Sequence, residues 1–388
     1  MRFLNAGESH GKALVSIIEG LPSNLKIDTQ FINYMLELRQ GGYGRGGRMK
    51  IEKDKIDIFS GVRGGYTTGA PVSFLIWNND WENWQKIMST GEDADLESKK
   101  VTRARPGHAD YAGALKYQQK DIRNILERAS ARETASKVAI GSIAMSFLKE
   151  FGIQVSFCVT NIGGAQCPEK VLEISDKIFE NPLYCPCEKT TKDMISLIDK
   201  AKEEGESLGG IVQVIVKGLP PGVGSYVNYD RKLDSKIAGS LMGVQAIKGV
   251  EIGMGFEAGI NPGSKVHDEI FFDKEKGVFH GSNNAGGIEG GMSNGEDIIV
   301  KAVMKPIPTL YNPLQSIDIY SGEAYEAAIE RSDICAVPAA AVVAGSVVAW
   351  EIANSFMEKF AGDSMEEIKN SFENWQGIIK SFTGGSHE

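Results

Sequence analysis

The chain has 388 residues, a formal net charge of −9 at neutral pH, 42% hydrophobic residues and 24% charged residues. That length is enough for one large core or two ordinary ones, and the balance is that of a soluble globular protein. The acidic charge argues against bulk binding to nucleic acid or to an anionic membrane surface, so recognition of an anion has to come from a local positive site.

The opening residues, MRFLNAGESHGK, lack the apolar core of a signal peptide. Residues 3–6 read as a short strand opening into Gly7-Glu8-Ser9-His10-Gly11, where two glycines bracket a histidine in a tight turn. Asp28 caps a helix in which Phe31, Ile32, Met35 and Leu36 keep helical spacing, and Gly41 closes it. Gly42-Tyr43-Gly44-Arg45-Gly46-Gly47 satisfies G-x-G-x-x-G in form only. A helix precedes it and an alternating strand, residues 49–59, follows, the reverse of the dinucleotide-binding order. A glycine loop presenting Arg39, Arg45 and Arg48 to an anion is the better account, since an RNA-binding Arg-Gly element would repeat.

Residues 102–134, TRARPGHADYAGALKYQQKDIRNILERASARET, hold five of the twelve arginines. Arg103 and Arg105 precede the turn Pro106-Gly107 and His108, while Arg123, Arg128 and Arg132 fall on a stretch that reads as helix. Between residues 39 and 132 there are nine Arg and eight Lys; elsewhere there are three Arg and twenty-two Lys. Guanidinium is a fixed fork that grips carboxylate or phosphate with two bonds, whereas Lys is a hydrated point charge. Two readings stand: surface salt bridges, or a pocket for a small polyanion with a histidine in its wall.

Further along, residues 155–160 and 210–217 read as strands, separated by a polar stretch with a helix at 191–204 closed by Gly205. A helix is expected at 233–246 and a strand at 250–256. Residues 283–295, with five glycines, read as a loop where backbone approaches a ligand or another backbone closely. Lys305-Pro306-Ile307-Pro308-Thr309 is a stiff connection whose Lys and Thr can donate to phosphate. Residues 334–350 carry no charge but are short for a membrane span, and Pro338 sits near their start, so a buried core helix is expected. A docked helix at 363–382 and a frayed end at 383–388 close the chain. The five cysteines, Cys158, Cys167, Cys185, Cys187 and Cys335, form no even framework and read as reduced thiols in a cytosolic protein. Cys185-Pro186-Cys187 lacks CxxC spacing, so it reads as a structural loop and no metal is expected. No repeat or linker divides the chain, so residues 1–388 read as a single domain. With no HExxH, nucleophile elbow or Walker loop, metal hydrolysis and acyl transfer are disfavoured. Groups suited to anions and proton transfer favour a lyase or phosphoryl-group reaction on a small acid.

RPGHADYAG followed by ERASARET resembles the chorismate synthase family. The family's other blocks follow in order: GESHG at 7–11, RQGGYGRGGRM at 39–49, SGVRGGYTTGAP at 60–71, VKGLPPGVG at 216–224, QAIKGVEIG at 245–253, NNAGGIEGGMSNG at 283–295, KPIPTL at 305–310 and RSDICAVPAAAVVA at 331–344. The resemblance spans nearly the whole chain. It implies an α+β fold, a single-domain β-α-β sandwich with helices layered between antiparallel sheets, assembled as a homotetramer in the cytoplasm. It implies a lyase that converts 5-enolpyruvylshikimate 3-phosphate to chorismate and phosphate by anti 1,4-elimination with reduced FMN, in aromatic amino-acid biosynthesis. A flavin-dependent lyase acting on a related phosphorylated acid is the alternative.

By the same resemblance, Arg39, Arg45, Arg48, Arg105 and Arg132 bind the substrate's anionic groups. His10 protonates the departing phosphate, His108 bonds the reduced flavin, and Asp333 belongs to the pair that takes the C6 proton. The flavin positions implied are Arg128, Ala129, Ser130, Gln245, Ala246, Gly290, Lys305, Pro306, Ile307, Pro308, Thr309 and Arg331. Two residues depart from the family pattern: Ala129 stands where a serine is common, and Gly345 where a Glu often follows AAAVVA. Some members reduce flavin themselves with NADPH. No segment here announces that activity, so an external flavin reductase is the expected partner.

Overall fold

The computed structural model describes residues 1–46, 53–168, 170–273, 277–330 and 332–383. Arg48 and Arg331, both assigned above, lie outside the described residues, as do residues 49–52 of the expected strand and the expected frayed end beyond Thr383.

Alternation builds the first sheet. In Ala13–Glu19 and Val72–Trp77 every second side chain is buried, the period of a strand with one face on a core. The order is Arg2–Ala6, Ala13–Glu19, Val72–Trp77, Ile56–Ser60, all antiparallel. Leu14, Ile18, Phe74 and Ile76 face inward, while Leu4, Ile17 and Trp77 stay exposed. The second sheet centres on Gly210–Lys217, an apolar run buried almost throughout. It lies antiparallel between Gln154–Ile162 and Ile298–Met304, with Ile247–Ile252 and Ala165–Gln166 at the edges.

Helices connect the two sheets. The apolar run at 334–350 becomes Val337–Phe360, with Pro338 in the first turn, where a missing N–H costs nothing. It is long and apolar enough to cross a membrane, yet most of its length is buried inside the fold, as a core helix would be. It packs on Gln154–Ile162 and Gly210–Lys217, whereas its neighbour Thr134–Lys149 reaches Ala13–Glu19, and Thr29–Gln40 touches both helices. One hydrophobic cluster runs from Leu14 to Phe372 through all of these elements. Helices with several antiparallel sheets make this an α+β fold. Gly345 also finds its reason here: a Cβ at that position would lie 2.2 Å from Cδ1 of Phe157, so the missing side chain makes room for a core ring.

Several local expectations hold. The Asp28 carboxylate accepts from the Gln30 and Phe31 amides at the head of Thr29–Gln40, and Gly205 closes Glu188–Glu204 at φ +71°. Others are corrected. The helix from 233 ends at Met242 rather than at 246, because Ala246 turns at φ +67° and residue 247 already opens the strand Ile247–Ile252. That strand stops before 256, and Gly255–Ile260 is a 3-10 segment. The glycine-rich stretch 283–295 contains a hairpin, Ile288–Glu289 with Met292–Ser293, turning on Gly290 and Gly291 at φ +58° and +85°. Two positive φ values are what a tight two-residue hairpin turn demands. The helix expected through Arg132 breaks. Arg123–Ala129 ends at Ser130, which is extended at ψ 142°, and the Ser130 hydroxyl accepts from the Arg132 amide ahead of the 3-10 turn Ala131–Glu133.

The two central helices cross closest at Gly141, where a Cβ would lie 2.3 Å from the Ser346 carbonyl oxygen and 2.5 Å from its Cα. Helix propensity alone credits Gly→Ala with about 1 kcal/mol of stabilisation, but overpacking costs about 1–3 kcal/mol, and backbone atoms cannot rotate aside. Gly141→Ala should therefore lower the denaturant midpoint. Gly377→Ala, in Met365–Thr383 with nothing within 4 Å of the added methyl, should leave it equal or higher. A Gly141→Ala midpoint at or above wild type would contradict the close crossing.

Candidate active site

The break at Ser130 separates two clusters, and a third stands on the turn at Pro106-Gly107. On the N-terminal side of the break the short helix Arg123–Ala129 holds the His10 loop. The Ser9 amide donates to the Glu127 carbonyl at 2.9 Å. The His10 amide donates to Glu127 Oε2 at 2.7 Å, and His10 Nδ1 lies 2.8 Å from Glu127 Oε1. The imidazole stacks on Trp84 with ring centres 3.8 Å apart. Arg123 donates to the same Oε1 at 3.1 Å. Burial pushes the Glu127 carboxyl up, but the His10 and Arg123 contacts outweigh it and leave it below its ordinary value. Arg128 donates to the Gly7 carbonyl and to Asn5 Oδ1, at 3.2 and 2.8 Å. The Ser130 hydroxyl reaches Ser9 Oγ at 3.1 Å. Gly7 at φ +113° brings backbone within 2.5 Å of where a Cβ would sit, so only glycine passes here.

On the C-terminal side of the break Arg132 turns inward. Its Nη1 donates to both oxygens of Asp54, at 2.7 and 2.6 Å. Arg39, in the last turn of Thr29–Gln40, shares that carboxylate at 3.5 Å and donates to Thr134 Oγ1 at 2.9 Å and the Ala131 carbonyl at 3.0 Å. All three charged groups are buried. Arg45 donates to the Arg39 carbonyl at 3.2 Å and pairs with Asp333 at 3.1 Å. Asp333 also accepts from the Gly46 amide at 2.6 Å. It is not the cap of the following helix, whose N-cap is Ala336.

The third cluster is built on the Pro106-Gly107 turn. Arg105 grips Asp110 as a fork, Nε to Oδ2 at 2.8 Å and Nη2 to Oδ1 at 3.1 Å, and the same carboxylate takes His108 Nδ1. Asp110 is fully buried, which pushes its carboxyl up, yet the His108 and Arg105 bonds hold it far below the usual carboxylate range. Arg105 Nη1 reaches Thr309 Oγ1 at 3.3 Å. Lys305 Nζ donates to the Gly107 carbonyl, and the Lys305 amide donates to the Ala246 carbonyl. Gln245 donates to Glu133 at 2.9 Å, one residue from Arg132. Residues 105–110, 245–246 and 305–309 therefore meet. Ala129 ends its helix beside the Ser130 contact, and Gly290 stands apart in its hairpin turn.

Four of the five expected substrate arginines are thus described, and all are paired with carboxylates. Of those carboxylates only Asp333 was named from sequence; Asp54 and Asp110 were missed, as were Glu127 behind His10 and Glu133 beside Gln245. Arg123 four residues before Glu127 is a local signal for one of them, and Asp110 is two residues from His108. Asp54 has no such signal. Arg103 lies over the Tyr325 ring at 4.4 Å, a surface contact of the plainer kind.

The residues fit a flavin mononucleotide. Lys305 and Arg128 carry charge, and Ser130 and Thr309 carry hydroxyls, the chemistry that suits a phosphate group. The buried Gln245 Oε1 has no hydrogen-bond donor among the described residues, which suits a ring with polar edges.

The sequence profile of chorismate synthase matches residues 1–357. The chain is 56% identical to the chorismate synthase of Desulforamulus reducens, over 98% of this chain and 99% of that one. It is 53% identical to that of Geobacter metallireducens, over 98% and 100%. A crystal structure of chorismate synthase aligns with a TM-score of 0.80 at 42% identity, over 98% of each chain. Arginine forks, carboxylate-held histidines and whole-length similarity lead to one conclusion: the chain belongs to the chorismate synthase family.

Proposed function

We propose that this chain converts 5-enolpyruvylshikimate 3-phosphate to chorismate and inorganic phosphate by anti 1,4-elimination, with reduced FMN as cofactor. The observation that carries the reading is a gathering of buried guanidiniums among the described residues. Arg39, Arg45, Arg105 and Arg132 face three carboxylates, Asp54, Asp110 and Asp333. Guanidinium forks suit a substrate with two carboxylates and a phosphate, and Arg48, outside the described residues, is assigned to the same task. Bound reduced FMN supplies electron density that weakens the bond to the departing phosphate.

The chain's own groups bind, orient and move protons. Arg39 and Arg132, brought together on Asp54, are the guanidiniums that take the substrate's anionic groups. His10, held by Glu127 and Trp84, donates a proton to the departing phosphate. His108, held by Asp110 and Arg105, sits beside the flavin positions 305–309. Asp333 serves proton removal at C6: its side chain is 19% exposed where those of Asp54 and Asp110 are 1% and 0%, so it is the carboxylate of the three that substrate can reach. The flavin set is Arg128, Ala129, Ser130, Gln245, Ala246, Gly290, Lys305–Thr309 and Arg331.

We read the domain as one β-α-β sandwich, because the central helices touch a sheet on each side. Assembly as a homotetramer gives the outward Leu4, Ile17 and Trp77 a covering surface. A cytoplasmic enzyme supplied by a separate flavin reductase completes the reading. Its test is anaerobic incubation with 5-enolpyruvylshikimate 3-phosphate and photoreduced FMN, following chorismate and phosphate. Failure to form both would reject the assignment.

His10→Ala and His108→Ala should each lower turnover by about a hundredfold or more, the usual scale for a positioned acid or base. Only His108→Ala should alter the spectrum or affinity of reduced FMN. Identical flavin behaviour in the two variants would undo the division of roles.

Asp333→Asn keeps an oxygen for the Gly46 amide and loses the ability to take a proton. The variant should fold and bind FMN, turn over about a hundredfold more slowly, and show a larger isotope effect with deuterium at C6. Near-normal turnover would remove Asp333 from the proton path.

A further inference from the structure

We propose that Glu127 is the positioning residue for His10, fixing the imidazole with its proton on Nδ1 and making Nε2 the nitrogen that exchanges a proton with the departing phosphate. The inference rests on the reading of His10 as the donor to that group.

An ionised carboxylate only accepts hydrogen bonds. With Glu127 Oε1 2.8 Å from Nδ1, that nitrogen has to carry hydrogen. Proton exchange is then confined to Nε2, the arrangement by which a buried carboxylate orients a catalytic imidazole and stabilises its cation. The hold is on two points, since Oε2 takes the backbone amide of the same residue at 2.7 Å. Ring and main chain are thereby fixed together, in a glycine-bracketed turn that would otherwise let the side chain change rotamer. Trp84, stacked on the ring at an interplanar angle of 24°, sets the plane. Arg123 in turn fixes the carboxylate: it donates to Oε1, to Glu330 at 3.0 Å and to the Lys99 carbonyl, and its guanidinium lies over the Trp84 ring at 5.3 Å. This accounts for an arginine of the 102–134 cluster that substrate binding does not use.

The plainer reading is that Glu127 balances Arg123 and pins a loop. The two separate on coupling. Under the plainer reading, Glu127→Gln costs the same turnover whether or not residue 10 has an imidazole. Under the proposal, nothing remains to be lost once His10 is alanine.

The test is the turnover of wild type, His10→Ala, Glu127→Gln and the double variant, in the anaerobic assay with reduced FMN. Glu127→Gln should fall by at least about tenfold, as misplacing a catalytic group does, with KM unchanged, and the double variant should be no slower than His10→Ala. Full turnover in Glu127→Gln, or additive losses in the double variant, would overturn the proposal. Full turnover in His10→Ala would instead strike the donor role of His10, which distinguishes the two failures. A second measurement needs no variant of Glu127 to fold. In the wild-type chain with ¹⁵N-labelled histidine, the His10 ring, identified by its absence from His10→Ala, should carry hydrogen on Nδ1. A neutral ring with hydrogen on Nε2 alone would refute it.

Discussion

The structure depends on the Asp54 carboxylate shared between Arg39 and Arg132. Taking a charged side chain out of water costs several kcal/mol, and the cost is recovered only where an opposite charge and good hydrogen bonds are already in place. Arg39 and Arg132 reach Asp54 from two segments, so one buried carboxylate ties the end of Thr29–Gln40 to the turn Ala131–Glu133. Removing Asp54 would leave two buried guanidiniums without this carboxylate, and breaking a buried pair in that way costs about 3–5 kcal/mol.

The break at Ser130 makes this arrangement possible. In an unbroken helix Arg128 and Arg132, four residues apart, would lie on one face and reach the same neighbours. With Ser130 extended, Arg128 turns toward the Asn5 and Gly7 backbone while Arg132 turns toward Asp54. A single dihedral thus divides one run of arginines between anchoring the histidine loop and pairing with Asp54.

That division explains which parts were legible in sequence. The Asp28 cap, the Gly205 stop, the strand Gly210–Lys217 and Pro338 at the head of the long helix all follow from neighbours within a few positions. The break at Ser130 does not, because Ala129 and Ala131 are good helix residues and the serine's partner, Ser9, is 121 positions away. The same holds for the acids. Asp54 meets Arg132 across 78 positions, and no periodicity announces it. Resemblance placed His10, His108 and Asp333 but said nothing of Glu127 or Asp110 behind the two histidines, nor of the Phe157 ring that asks for Gly345.

The bond from the Gly46 amide to Asp333 spans 287 positions. A chain emerging from the ribosome makes its first sheet and its arginine loop long before residue 333 exists. The early part of the molecule must wait with Arg45 lacking its carboxylate partner and the second sheet lacking its Ile298–Met304 strand. Contacts at such separation fold slowly, because the loop has to close before they repay it. A chain that ends before its final helices lacks both the Asp333 partner of Arg45 and the helix Val337–Phe360 that fills the core.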